Sequence, residues 1–436
     1  MTQPLNQPTS RRSFLKNSTA VALGGALSAP LILGTKSSAA SPGDTIKVGL
    51  IGCGGRGTGA ANDALNGDKN VIITAMGDVF EDRLKTSLTA LKKDAELGER
   101  VQVTPQNCFL GFDAHEKVLA SGVDVVILAT PPGFRPAHLK AAIAANKHVF
   151  CEKPVATDAP GVRSVLETVE EAKMRKLAIV SGLCWRYNLA ERALFEKVHQ
   201  GAIGDIRAHY GVYNTAGLWS KPRKPEWSDM EWQIRNWLYF TWLSGDHIVE
   251  QAVHTIDKMA WAMNDEPPLK AVAHGGRQAR TAEEYGHIYD HFEVVYEYPN
   301  DVHGFIFCRQ QNNCASDTSD TIMGTKGVAR VLCFKGMPFT KGETNWKYSG
   351  KRPNMYEVEH QELFTSIRKG EPINNGVRMA RSTLLAIMGR MAAYTGKEIT
   401  WEDALNSKEN LQPEKIAWDA SIPVPPVAIP GTTPFV

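Results

Sequence analysis

Apolar and polar positions follow two regimes along this chain. In the first, short unbroken apolar runs recur at Ile46–Ile51, Val71–Met76, Val123–Thr130, His148–Cys151 and Ala178–Gly182. Runs of this length without alternation suit strands buried on both faces, as in a parallel sheet. Between the third and fourth runs, His138, Leu139, Ala142, Ile143 and Ala145 recur at helical spacing. Strand and helix therefore alternate, which predicts an α/β fold with a doubly wound parallel sheet. In the second regime, Asp290–Tyr298 and His303–Phe307 alternate apolar with polar positions around Pro299-Asn300-Asp301, and this predicts a hairpin. Gln361–Lys369 and Met379–Ala393 carry helical patterns. From Pro413 the chain is rich in proline and is expected to lie extended over the surface.

The N-terminus stands apart from both regimes. Ser10-Arg11-Arg12-Ser13-Phe14-Leu15-Lys16 has the form of a twin-arginine export signal. An apolar Gly/Ala-rich stretch follows from Ala20 to Gly34, short for a bilayer span, and then come the small residues Ser38-Ala39-Ala40. Residues 1–40 are therefore set aside as a signal peptide. The alternatives are an ordinary secretory signal or an uncleaved anchor. The expected partner is the twin-arginine export machinery, and the expected location is periplasmic or otherwise extracytoplasmic.

Composition narrows the classes. The 436 residues, less the signal, are too many for one core and enough for two domains. With 22% charged residues, 43% hydrophobic residues and a net charge of +2, the chain is an ordinary soluble type. It has no basic tract, so nucleic acid is not an expected partner. Cys53, Cys108, Cys151, Cys184, Cys308, Cys314 and Cys333 are odd in number and contain no CxxC pair. Neither a disulfide framework nor a zinc ribbon is indicated.

After the first strand, Gly52, Gly54 and Gly57 give G-x-G-x-x-G at the mouth of a helix. The glycines allow a tight turn, close approach of backbone to a pyrophosphate, and close packing of helix on strand. The helix start offers free N–H groups to phosphate. Asp78 ends the second strand about 20 residues on, where an acid binds the ribose hydroxyls and repels a 2′-phosphate. Val79 and Phe80 follow it rather than Arg or Lys, so the expected cofactor is NAD. The alternative role for Asp78 is capping the helix near Glu81.

Ala129-Thr130-Pro131, His138 and Lys147-His148-Val149-Phe150-Cys151-Glu152-Lys153-Pro154 resemble the Gfo/Idh/MocA oxidoreductases, whose members include glucose–fructose oxidoreductase and inositol dehydrogenase. The resemblance runs from about Ile46 to Thr400. It implies a Rossmann domain over 44–182, a second α/β domain over 183–400 with an open, mainly antiparallel sheet used for homo-oligomerisation, and a tail over 401–436. It places Arg56, Thr130, Pro131, Glu152 and Lys153 with the glycines and Asp78 in the nucleotide site. It makes Lys153 catalytic as well. A lysine at the carboxyl end of a central strand is where ligands bind in such sheets, and there it can hydrogen-bond a hydroxyl. The competing reading is a surface lysine paired with Glu152. Arg186 and Tyr187, in Cys184-Trp185-Arg186-Tyr187-Asn188, either bind substrate hydroxyls or fasten the two domains together.

Chemistry is densest between Ser244 and Trp261. Read as one helix, the segment puts Glu250 and His254 four apart on a shared face, with Asp257 near the same stripe and assigned to substrate. His254 is the expected general base, and Glu250 either orients it or binds a neighbouring hydroxyl. The family pattern has Asp and Gly where this chain has Glu250 and Ala252. His247, Glu250 and His254 also have metal-ligand spacing, although no metal is expected. Trp237, Tyr239, Phe240 and Trp242 either stack on sugar rings or belong to the core.

The expected enzyme is an NAD-dependent oxidoreductase acting on a sugar or glycoside hydroxyl. Free NAD is scarce outside the cytoplasm, so an exported enzyme is expected to carry its nucleotide and recharge it in each cycle. Sugar–sugar oxidoreduction does this. So does glycoside hydrolysis by transient oxidation and elimination, the cycle of the NAD-dependent α-N-acetylgalactosaminidases that the chain also resembles. A non-catalytic sugar-binding protein is the remaining alternative.

Overall fold

The computed structural model describes residues 43–436, so the export-type segment lies outside the described residues. The apolar runs form β1 (Ile46–Ile51), β2 (Val71–Asp78), β3 (Cys108–Leu110), β4 (Val125–Leu128), β5 (His148–Cys151) and β6 (Ile179–Ser181). They pair in parallel, in the order β3-β2-β1-β4-β5-β6. Alternate side chains enter two apolar clusters, one holding Ile51, Val126 and Leu128 and the other Val48, Leu50 and Ile127. Burial on both faces explains why these strands are apolar throughout. The order reverses beside β1, which opens the crevice at the strand carboxyl ends where such sheets bind ligands.

The second sheet contains β7 (Ile206–Thr215), β8 (Lys270–Gly276), β9 (His291–Tyr298), β10 (Val302–Gln310), β11 (Ser319–Gly324), β12 (Gly327–Leu332), β13 (Phe339–Gly342), β14 (Trp346–Lys347) and β15 (Ile399–Thr400). Its order is β14-β13-β12-β11-β7-β10-β9-β8-β15. Pairing is antiparallel except between β7 and β10. The expected hairpin is β9–β10, turning at Pro299–Asp301. Phe292, Val294, Tyr296 and Tyr298 alternate inward on β9. They pack in one cluster with Leu384, Met388 and Ala392 of the helix Gly376–Thr395. Val165 and Val169 of the helix Ala159–Met174, beside the first sheet, join the same cluster, so the two sheets share apolar packing.

The segment read as one helix is broken. Short helices Thr241–Ser244 and His247–Glu250 precede Val253–Ala262. Gly245 and Asp246 take left-handed φ of 76° and 78° at the first break. At the second, the N–H groups of Gln251 and Ala252 both close on His247 O, at 2.9 and 3.1 Å.

Candidate active site

The nucleotide loop is built as its glycines require. Gly52 has φ +96°, and a Cβ there would lie 2.6 Å from the backbone of Ala129 and Thr130. At Gly57 a Cβ would come within 1.9 Å of Gly52 O, while Gly55 faces open space. No side chain caps the helix α1 (Gly55–Gly67), so its first N–H groups are free for an anion. Asp78 does not cap the helix Glu81–Lys93, whose N-cap is Phe80. Its carboxylate accepts from Cys53 N at 2.7 Å and Phe80 N at 2.9 Å, tying the strand end to the glycine loop. Burial pushes the Asp78 carboxyl up from its ordinary value, against these two N–H donors.

A cavity of about 650 Å³ opens here, and Gly52, Gly54, Arg56, Gly57, Asp78, Thr130 and Pro131 all line it. Its size suits a large cofactor. The open floor at Gly55, the uncapped helix and the acid at the β2 end all fit a dinucleotide. Glu152 and Lys153 stand outside this lining. Glu152 accepts from Arg56 Nε and from Lys153 N, the latter at 3.1 Å. Burial opposes its charge, but Arg56 and Arg135 hold its carboxyl below the ordinary value. Glu359 reaches the same guanidinium at 3.5 Å. Burial and then Glu152 push Glu359 well above its ordinary value, and Asp63 meets the same guanidinium at 3.0 Å.

Lys153 and Glu250 meet from opposite sides of the sheet junction. Lys153 Nζ donates to Glu250 Oε1 at 2.9 Å and to Glu250 O at 2.5 Å. Among the described residues the lysine side chain forms its ion pair with Glu250, not with Glu152. His254 stands close enough to Lys153 for that charge to act on it. Burial first, then Lys153, Lys258 and Arg56, hold the imidazole pKa well below its ordinary value. Its Nδ1 is buried with no hydrogen-bond partner. No hydrogen bond joins Glu250 to His254 among the described residues. The break at Gln251–Ala252 separates what a single helix would have aligned, and the Glu250 carboxylate accepts from Lys153 instead. Tyr213 on β7, which the sequence did not single out, lies 6.3 Å from the His254 ring in near-parallel orientation. Burial and Glu250 push its hydroxyl up to about 12.

The three residues assigned to substrate are occupied by the protein itself. Arg186 grips Asp257 through Nε at 2.9 Å and Nη2 at 2.8 Å, and Asp265 through both terminal nitrogens. Ser382 Oγ donates to Asp257 at 2.7 Å. Tyr187 Oη accepts from Asn375 Nδ2 at 2.5 Å. These contacts pin the 184–187 turn to the helix Val253–Ala262 and to the start of the helix Gly376–Thr395, all of them within the second domain as bounded above. His247 Nδ1 faces Asp246 at 3.0 Å. No group of three or more His, Cys, Asp or Glu side chains able to hold a metal occurs among the described residues.

Among the aromatics, Tyr239, Phe240 and Trp242 are core, but Trp237 lines the nucleotide cavity. Sequence reasoning missed the rest of that wall. Trp219, Lys221 and Ile234 come from the second half of the chain, and Ile416 comes from the tail. The available signal was the apolar run Ile416-Ala417-Trp418 set between the charged residues Glu414-Lys415 and Asp419. All seven cysteines are free thiols.

A dinucleotide cavity beside a lysine–glutamate–histidine cluster defines a nucleotide-dependent oxidoreductase site. Residues 46–179 match the family "Oxidoreductase family, NAD-binding Rossmann fold", and residues 192–330 match "GFO/IDH/MocA C-terminal domain". The chain belongs to the Gfo/Idh/MocA family of NAD-binding oxidoreductases. Inositol 2-dehydrogenase of Serratia proteamaculans is 25% identical over 346 residues, covering 75% of this chain and 87% of that protein. Trans-1,2-dihydrobenzene-1,2-diol dehydrogenase of Macaca fascicularis is 26% identical over 280 residues, covering 61% and 75%. Aldose-aldose oxidoreductase from Caulobacter crescentus shares the fold, with a TM-score of 0.64 and 16% identity over 82% of this chain and 99% of that one.

Proposed function

We propose that this protein oxidises a hydroxyl of a sugar or glycoside and returns the hydride before its nucleotide can leave, as in sugar–sugar oxidoreduction. One observation carries this reading: the nucleotide cavity is walled by the second half of the chain and by the tail as well as by the Rossmann loop. A cofactor held on all these sides exchanges slowly, which suits an enzyme delivered folded by the twin-arginine machinery to a compartment poor in free NAD. The polyol and diol substrates named for the relatives support a hydroxyl-bearing carbocycle or sugar ring here.

When bound, NAD supplies the hydride acceptor; Gly52, Gly54, Gly57, Arg56, Asp78, Thr130 and Pro131 would hold it. Lys153 has three N–H donors. Two are directed at Glu250, which fixes the ammonium and leaves the third for the substrate oxygen. His254 is kept neutral by burial and neighbouring cations, so its imidazole is ready to take the hydroxyl proton. Glu250 positions Lys153. Exposed Tyr210, Val272 and Met323 on one face of the second sheet support self-association through that face.

The test is to purify the exported protein, pass it through gel filtration, denature it, and identify released nucleotide by absorbance and mass. Near-stoichiometric NAD is expected. Protein that emerges empty, yet turns over fully without added nucleotide, would overturn the proposal.

A further inference from the structure

The tail crosses the mouth of the nucleotide cavity between two clamps. Before the crossing, Leu411 N donates to Asp158 Oδ2 at 3.0 Å, Gln412 Nε2 donates to Trp242 O at 3.2 Å, and Arg390 holds Glu409 at 2.5 Å. After it, the buried Gln233 donates to Ile422 O at 2.7 Å, and Asp229 accepts from Ile422 N at 3.3 Å. Between the clamps, Ile416 lines the cavity. Trp418 lies 5.6 Å from the Phe80 ring and 4.6 Å from the Phe112 ring. Phe80 follows Asp78 at the end of β2, and Phe112 follows β3, so the crossing covers the end of the cavity where the ribose-binding acid stands.

Two cations stand near the same end. Arg83 and Lys221 both line the cavity. Neither has a carboxylate partner among the described ion pairs, while neighbouring Arg235 is held by Asp82 and Glu231. Two cations with no ion pair among the described residues, beside an uncapped helix, suit a pyrophosphate.

We propose that residues 413–420 are a strap belonging to the nucleotide site, in which Ile416 and Trp418 wall the adenosine end and set the rate at which bound nucleotide escapes. The inference rests on the dinucleotide reading above but not on the substrate. An apolar strap held at both ends adds contact area to the adenosine without loop-ordering cost, and removing its aromatic anchor acts mainly on dissociation. The clamps are polar contacts to buried groups, so they persist when Trp418 alone is shortened.

The test compares wild type, Trp418→Ala and Trp418→Phe, stripped of nucleotide and reloaded with NAD. Dissociation is followed by chase with excess unlabelled NAD, and affinity by titration calorimetry. Trp418→Ala should release NAD about tenfold faster and bind it about tenfold more weakly, with melting of the empty protein unchanged. Trp418→Phe should restore most of the difference. Trp418 is 39% exposed, so its truncation is compatible with folding. Should Trp418→Ala melt early, Ile416→Ser replaces it in the same comparison. Dissociation at the wild-type rate in the folded variant overturns the strap. Rapid NAD loss from wild type overturns cofactor retention instead, and leaves the ratio between wild type and variant to decide the strap.

Discussion

Arg186→Met separates a fastening residue from a substrate-binding one. The guanidinium is 3% exposed and is bonded to Asp257 and Asp265, whose side chains are 2% and 31% exposed. Methionine keeps the stem volume and removes the charge and every donor. Asp265 can then turn to water, but the buried Asp257 keeps only Ser382 as a side-chain hydrogen-bond partner among the described residues. Breaking a buried pair from one side costs about 3–5 kcal/mol, most of it the uncompensated charge left behind. With an unfolding entropy of about 2.1 cal/mol/K per residue over roughly 400 residues, near 0.8 kcal/mol/K in all, this lowers Tm by about 5 °C. Asp265→Asn, at the exposed end, should cost under about 1 kcal/mol. The assay pairs thermal melting of the NAD-loaded protein with steady-state kinetics on a responsive sugar. Fastening predicts a lower Tm and an almost unchanged KM below the transition. A variant with wild-type Tm and a KM raised tenfold or more would refute this reasoning and return Arg186 to the substrate.

Three further outcomes follow from the same geometry. Lys153→Ala should lower kcat by about 10²- to 10⁴-fold while released nucleotide stays stoichiometric; unchanged kcat would remove Lys153 from the chemistry. His254 is held well below its ordinary pKa by burial and nearby cations, so kcat/KM should show no acid limb near pH 6.5, and a limb there that vanishes in His254→Gln would contradict the assignment. Burial holds His138 near 3 and His148, His209 and His287 near 4, which makes the fold acid-labile. These side chains are neutral when folded and charged when unfolded between pH 6.5 and their folded values, so their contribution is whole above 6.5 and falls as pH drops through that window. Glu191, raised to about 8 by burial, works in the opposite direction. Histidines held low by burial outnumber the acids held high, so stability should fall as pH drops below about 6.5, and a urea midpoint flat from pH 6.5 to 5 would contradict it.

The first sheet was legible because its strands are buried on both faces, so composition alone marks them, and because G-x-G-x-x-G demands backbone that only glycine supplies. Gly52 at φ +96° and Gly57 against Gly52 O are local necessities, written locally. The hairpin β9–β10 was legible for the same kind of reason, since a period of two records one buried face. The fate of Glu250 was not legible. Its four-residue spacing to His254 promised a shared helical face, but the chain breaks at Gln251–Ala252 and turns the acid to Lys153, which is 97 residues away. Nor could the sequence tell whether Arg186 binds ligand or protein, because that depends on Asp257, Asp265 and Ser382 arriving from distant helices. The tail looked like a surface covering, and only packing against Phe80 and Phe112 puts Trp418 at the nucleotide mouth. Backbone conformation and burial are short-range and leave a pattern in the residues themselves. The partner of a charged or aromatic side chain is chosen by the closed fold, which settles where each charge is neutralised and which surfaces are covered.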